Sequence, residues 1–125
     1  MKITFIYERL GVMTADAPTE IDAELASRGS ARVDWIRSRM PLLAATREQF
    51  RGSRPFAGHR IGMSLHLEPK TAVLLETLAA GGAELVVTGN HGSTQDDVVA
   101  FLRGTAELVA FGAVLIHDGA SLLDQ

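Results

Sequence analysis

Short apolar runs alternate with helical stretches along the second half of this chain, and each run ends in a polar turn. Residues 60–65, 83–88 and 113–116 have the length and composition of buried strands. Strands that alternate with helices form parallel sheets, because each helix returns the chain to the start of the next strand. We therefore predict an α/β fold: a three-layer α/β/α sandwich, Rossmann-like, with a small, mostly parallel sheet of about four strands.

The first part of the chain precedes this alternation. Residues 2–7 are rich in β-branched and aromatic side chains and predict a strand, which a loop follows. From Ile21 an apolar stripe predicts a helix that Pro41 kinks or divides. We therefore separate an N-terminal strand and loop, residues 1–20, from one domain, residues 21–125.

Turn and capping residues mark the helices of the second half. Pro69 suits the first turn of a helix that Gly81 and its neighbouring glycine end. Ser93 and Asp96 have the spacing of a capping box and predict the start of another helix. Gly104 is expected to interrupt that helix.

Composition excludes several classes of function. A chain of 125 residues with 46% apolar residues can bury one core, and its net charge of −3 gives no excess of cations for nucleic acid. The chain has no cysteine, which excludes disulfides and thiolate metal sites and is compatible with a reducing compartment. Its apolar runs are too short for a membrane span, and its start does not resemble a secretion signal. We expect a soluble cytoplasmic protein.

Polar residues follow three of the predicted strands. His66 follows the first strand, Asn90 and His91 the second, and His117 and Asp118 the third. Ligands of parallel sheets bind at the carboxyl ends of the strands, so this edge is the predicted site. A histidine beside a carboxylate can transfer protons near neutral pH, and His66 with Asp118 is the best such pair.

Two other interpretations of this edge remain open. Strand ends are polar in most α/β proteins, so these residues can be ordinary solvated loop residues. Alternatively His66, His91 and His117 could bind a metal ion, with Asp118 as a fourth or outer ligand, although no short ligand motif supports this site.

Charged and glycine residues near the same edge are less specific. Glu68 and Lys70 lie where the loop enters the helix, and alone they predict a solvated pair of opposite charges. Gly89 and Gly92 flank a turn that lacks either glycine-rich phosphate-binding pattern. Their glycines are better explained by the turn than by a phosphate.

Two segments resemble one known family. Residues 66–78, His-Leu-Glu-Pro-Lys-Thr-Ala-Val-Leu-Leu-Glu-Thr-Leu, look like the histidine-bearing loop and helix of S-adenosylhomocysteine hydrolases. Ser-Thr-Gln-Asp-Asp at 93–97 continues the match in order. The likeness covers roughly residues 22–122 and also includes residues 35–41, 47–50, 82–85 and 114–122.

The resemblance implies roles for individual residues. His66 matches the family's active-site histidine, which transfers protons around the 5′ leaving group, and Asp118 matches the aspartate beside it. The residues implied to bind substrate are Leu65, Glu68, Lys70, Thr71, Asn90, Ser93 and Gln95.

Lys70 also implies a substrate preference. Many family members carry a glutamate at its position, which accepts a hydrogen bond from the amino group of adenine. Lysine can only donate, so it suits the 6-oxo group of hypoxanthine better. We therefore expect inosine-type ligands to bind in preference to adenosine-type ligands.

The chain also departs from the family pattern. His91 and His117 stand where the family has other residues, and a strand and helix are missing between Asp97 and Val114. The N-terminal strand has no family counterpart, so it either fills that vacancy or pairs with a second chain. The family's catalytic lysine and its NAD-binding domain lie downstream of the match, and this chain stops at Gln125.

These observations predict a reduced, stand-alone relative of the family. It would bind a purine nucleoside or homocysteine-type small molecule and use His66 and Asp118 for acid/base chemistry, without NAD-dependent hydrolysis by itself. The alternatives are a non-catalytic module that completes a partner's site and a metal-assisted enzyme. We expect no cofactor within this chain apart from an optional divalent metal, and a role near one-carbon metabolism. We also expect no nucleic-acid or membrane partner. The protein is expected to form a homodimer or a complex with a partner protein.

Overall fold

The computed structural model describes residues 4–6, 12–14, 20–89, 93–104 and 114–116. None of the helices in these ranges is long and apolar enough to cross a membrane. In chain order the elements are β1 (Thr4–Ile6), β2 (Val12–Thr14), α1 (Glu20–Arg37), α2 (Pro41–Ser53), β3 (Arg60–Ser64), α3 (Pro69–Ala80), β4 (Glu84–Thr88), α4 (Asp96–Gly104) and β5 (Val114–Ile116).

A parallel sheet joins the three strands of the second half. Its strand order is β3-β4-β5, with Ile61 opposite Leu85 and Val87 opposite Leu115. The predicted α/β class and the parallel pairing are therefore confirmed. The sheet has three strands within the described part of the chain, where about four were predicted. The two N-terminal strands form a separate antiparallel pair, and β1 also lies against β5.

The helices that connect these strands lie on one face of the sheet. Both α3 and α4 join neighbouring strands in the same direction along the sheet, and right-handed crossovers place such helices on the same side. Both helices also contact α1. On the other face, a Cβ atom built on Gly62 meets nothing within 4 Å. The described elements therefore form two layers, and the third layer of the predicted sandwich is not among them.

The core lies between the sheet and the helices α1, α3 and α4. Its central side chains are fully buried, so each contributes about 1.5–3 kcal/mol of transfer free energy. The largest of them are Val33, Leu67, Leu75, Leu85, Val87, Val98 and Leu102.

Strand β3 is less buried than its composition predicts. Arg60, Gly62 and Ser64 are exposed, while Ile61 and Met63 between them are half-buried. The prediction of a buried strand was wrong because β3 is an end strand of the three, and one of its faces lacks a covering helix in the described structure. Composition alone does not distinguish an end strand from a central one.

Most predicted boundaries agree with the structure, and two do not. Pro41 divides the first helical region into α1 and α2, and α3 begins at Pro69 as predicted. Strand β2, however, lies within the predicted N-terminal loop, because three residues are too few to show the alternation of a strand. Helix α4 begins at Asp96, so Ser93 is not its capping residue. The carboxylate of Asp97 instead accepts the backbone N–H of Val98, at 2.9 Å.

Two carboxylates are buried among the helices and are paired with arginines. Glu76 of α3 accepts two hydrogen bonds from Arg37, at 2.6 and 3.0 Å, and forms an ion pair with Arg47 at 3.4 Å. Asp97 of α4 accepts two from Arg32, at 2.7 and 3.0 Å. Burial of a charge is costly unless it is paired, so these contacts fix α1 and α2 against the crossover helices.

Candidate functional site

The loops that follow β3 and β4 are joined at Leu67. Its backbone N–H donates to Thr94 Oγ1 at 3.4 Å, and its carbonyl accepts the backbone N–H of Gln95 at 2.9 Å. The Leu67 side chain is fully buried and anchors the first loop in the core. The carboxyl ends of two adjacent parallel strands are thereby held as one surface, as the sequence predicts.

His66 lies on this surface with its ring partly accessible. Its carbonyl accepts a hydrogen bond from the buried hydroxyl of Thr71 at 2.8 Å, which fixes the loop to the first turns of α3. Its Nε2 lies 3.5 Å from Glu68 Oε1, and both side chains are about two-fifths exposed. Glu68 therefore lies beside the imidazole, at the entry to α3.

The other predicted binding residues in the described part surround this loop. Leu65 is half-buried, whereas Lys70 and Ser93 are exposed. Gln95 is half-buried, and its Oε1 atom is buried without a hydrogen-bond partner among the described residues. An acceptor in this state requires a donor from outside the described residues, from water or from a ligand.

Four predicted site residues lie outside the described residues: Asn90, His91, His117 and Asp118. The His66–Asp118 pair and the three-histidine metal site therefore remain predictions. Within the described residues, no group of three or more histidine, aspartate or glutamate side chains is placed to hold a metal ion.

A protein-family model supplies the decisive comparison. The model of S-adenosyl-L-homocysteine hydrolase matches residues 20–115. The chain belongs to the S-adenosyl-L-homocysteine hydrolase family. The predicted resemblance is confirmed, and the matched range contains every described residue of the site.

Individual family members show how much of the family's length is present. An S-inosyl-L-homocysteine hydrolase of Methanosarcina mazei is 51% identical over 82 residues, which are 65% of this chain and 20% of that protein. A protein of the same name from Methanopyrus kandleri is 54% identical over 82 residues. An adenosylhomocysteinase of Halobacterium salinarum is 41% identical over 112 residues, which cover 78% of this chain and 26% of the Halobacterium protein. The chain thus spans about a fifth to a quarter of these relatives.

The turn between β3 and α3 does not fit the pyrophosphate of a dinucleotide such as NAD. A dinucleotide needs glycines that let its pyrophosphate approach the start of a helix. The turn from β3 to α3, residues 65–68, contains no glycine, and Glu68 places a carboxylate at the helix start. That charge would repel a pyrophosphate at this turn.

Sequence reasoning missed two residues that build the site. Thr94 joins the two loops through Leu67, and Arg32 neutralises the buried Asp97 just beyond them. Thr94 is part of the family motif at 93–97, which was a usable signal. Arg32 lies 65 residues from its partner, and no local pattern indicates so distant a contact.

We expect Thr71→Val to loosen the site loop, because it removes the hydrogen bond to the His66 carbonyl from a buried position. The free energy of unfolding should fall by about 1 kcal/mol, and amide exchange at residues 65–68 should become faster. Hydrogen exchange read by mass spectrometry measures both effects. Thr46→Val is the matched control, since its hydroxyl makes a similar 2.9 Å bond to the Leu42 carbonyl at the surface of α2. Equal effects in the two variants would contradict the special role of Thr71.

Proposed function

We propose that the surface formed by the β3 and β4 loops binds a nucleoside thioether of the S-inosylhomocysteine type. Such a ligand joins a 6-oxopurine nucleoside to homocysteine through sulfur. The family assignment supports this class of ligand, and several relatives are named S-inosyl-L-homocysteine hydrolases. The observation that carries the proposal is the exposed ammonium of Lys70 in the first turn of α3.

The position of Lys70 is unfavourable for a purely structural lysine. The start of a helix carries partial positive charge, so a cation there is disfavoured by about 0.3–1 kcal/mol. A ligand acceptor would offset this cost. The 6-oxo oxygen of hypoxanthine accepts hydrogen bonds, whereas the 6-amino group of adenine is a donor and would face the donating ammonium unpaired.

His66 is proposed to handle the proton at the sulfur end of the ligand. Its imidazole is accessible, its loop is fixed by Thr71, and Glu68 lies 3.5 Å from Nε2. Where a partner supplies the redox step that allows the 5′ C–S bond to break, a protonated imidazole there would donate to the departing thiolate and take a proton back from the water that replaces it. Asp118 is proposed as the second carboxylate of this site.

Binding, rather than the complete hydrolysis, is the function proposed for these 125 residues. The relatives are four to five times longer than the region they share with this chain, as the covered shares of 20% and 26% require. A second candidate function is that of a subunit that supplies the nucleoside site to a partner. We also propose that the protein is cytoplasmic. The third layer on its sheet would come from a second copy of the chain or from that partner.

A selectivity measurement tests the proposal. We expect isothermal calorimetry to show S-inosylhomocysteine binding at least about tenfold more tightly than S-adenosylhomocysteine, since a hydrogen bond to a charged group contributes about 1.5–3 kcal/mol. Lys70→Glu should reverse the preference, because its carboxylate accepts from the adenine amino group. Lys70→Arg, which remains a donor, should keep it.

Three results would decide against parts of this proposal. Equal binding of the two thioethers by the native protein would remove the 6-oxo preference. Absence of binding by either, in a protein shown to be folded, would remove the nucleoside site. A thermal shift with zinc alone would instead favour metal binding by His66, His91 and His117.

A further inference from the structure

The N-terminal hairpin lies at one end of the parallel sheet. Strands β1 and β2 pair antiparallel, with Thr4 opposite Thr14 and Ile6 opposite Val12. Strand β1 also lies against β5, although the two are not joined by a regular ladder of hydrogen bonds. Among the described strands, β1 therefore contacts both β2 of its own hairpin and β5 of the parallel sheet.

The hairpin is separate from the part of the chain that the family shares. The family match begins at residue 20, which is the first residue of α1, and ends at residue 115 within β5. The aligned stretch with the Halobacterium salinarum relative is 112 residues long, yet it covers only 78% of these 125 residues. That relative therefore has residues within the matched region that this chain lacks.

Strand β5 is the end of the parallel sheet and needs protection. One of its edges pairs with β4, and the other edge presents backbone N–H and C=O groups that can pair with a strand of another molecule. The opposite end of the sheet differs, because β3 begins with Arg60, which is charged, exposed and ion-paired with Glu84 at 3.0 Å. Charges of this kind discourage edge-to-edge pairing. The described residues provide β5 with no comparable ion pair, but they do place β1 beside it.

We propose that the hairpin is an edge cap, in which β1 covers the outer edge of β5 within the same chain. The cap occupies an edge that would otherwise accept a strand from a second copy. The proposal is independent of the ligand and of the residues that bind it.

Disulfide trapping tests the edge cap, because the natural chain has no cysteine. Nine double-cysteine variants of the full chain combine each β1 residue with each β5 residue, residues 4–6 with residues 114–116. Adjacent strands lie about 4.8 Å apart, within the reach of a disulfide. After mild oxidation of dilute protein, we expect at least one variant to form a disulfide within a single chain, seen as a monomer of altered mobility on non-reducing gels.

Two further pairs calibrate the experiment. The pair Phe5→Cys with Met13→Cys lies opposite within the hairpin and should form a bond. The pair Phe5→Cys with Gly62→Cys joins β1 to β3, two strands beyond β5, and should not. The proposal is overturned if the hairpin pair forms a disulfide while none of the nine does. Disulfides between chains alone would overturn it too, in favour of pairing between two copies.

Discussion

Replacing Gly29 with alanine is expected to lower the free energy of unfolding by about 2 kcal/mol. Gly29 lies in α1 where that helix crosses α4, and a Cβ atom there would lie 2.0 Å from the backbone oxygen of Asp97 and 2.9 Å from Cβ of Phe101. A backbone oxygen cannot rotate away, so α4 must move as a unit. Overpacking of this kind costs about 1–3 kcal/mol and outweighs the gain of about 0.5–1 kcal/mol from alanine in a helix.

Gly52 provides the matched control for this substitution. It also lies in a helix, α2, but a Cβ atom there meets nothing within 4 Å. Gly52→Ala should therefore leave stability unchanged or raise it by up to about 1 kcal/mol. Chemical denaturation of both variants measures the two effects. If Gly29→Ala is as stable as the native protein, α1 and α4 do not pack as closely at Gly29 as described.

Replacing Glu76 with glutamine is expected to destabilise the fold by about 2–3 kcal/mol. The Glu76 side chain is only 4% exposed, while its partners Arg37 and Arg47 keep 30% and 20% of their side-chain surface. Loss of the carboxylate removes the buried counter-charge shared by two partly buried arginines, although Arg37 keeps its ion pair with Asp34 at the surface. Breaking a fully buried pair costs about 3–5 kcal/mol, and the residual exposure of the arginines lowers the expected cost here to about 2–3 kcal/mol.

The exposed ion pair of Arg60 and Glu84 provides the comparison. Its 3.0 Å distance is similar, but its side chains are 69% and 46% exposed. Glu84→Gln should change stability by less than about 1 kcal/mol, because water screens the pair. Urea denaturation of the two glutamine variants measures the loss in free energy of unfolding. Because the two ion-pair distances are similar, a difference between the losses reflects burial. Equal losses would contradict the argument from burial.

The pKa of Arg37 determines how the stability cost of Glu76→Gln depends on pH. Its pKa is raised above the ordinary arginine value, mainly because its guanidinium donates to the carboxylate of Glu76. Stabilisation from a raised pKa is complete below the unfolded-state value and is lost only as the pH rises through the folded-state value. Both values lie far above neutrality, so we expect the cost of Glu76→Gln to stay constant between about pH 6 and about pH 9.

Local sequence signals were sufficient wherever one residue type acts on the backbone. Pro41 ends one helix and begins the next, and Pro69 opens α3, because a proline ring cannot continue a helix but fits its first turn. The short apolar runs at β4 and β5 were also local signals, because their composition and length are typical of buried strands. The motif around His66 predicted both the loop position and the family, and the family match covers that loop.

Contacts between distant residues could not be predicted in this way. The sequence determined the elements apart from β2, the parallel order of strands and helices, and the loop that carries His66. Only the tertiary structure decided that Arg32 pairs with Asp97, that Arg37 pairs with Glu76, that β3 is an exposed end strand and that β1 lies beside β5. The physical reason is that helix periods and turn residues act within a few positions of the chain, whereas burial and pairing depend on how whole elements pack.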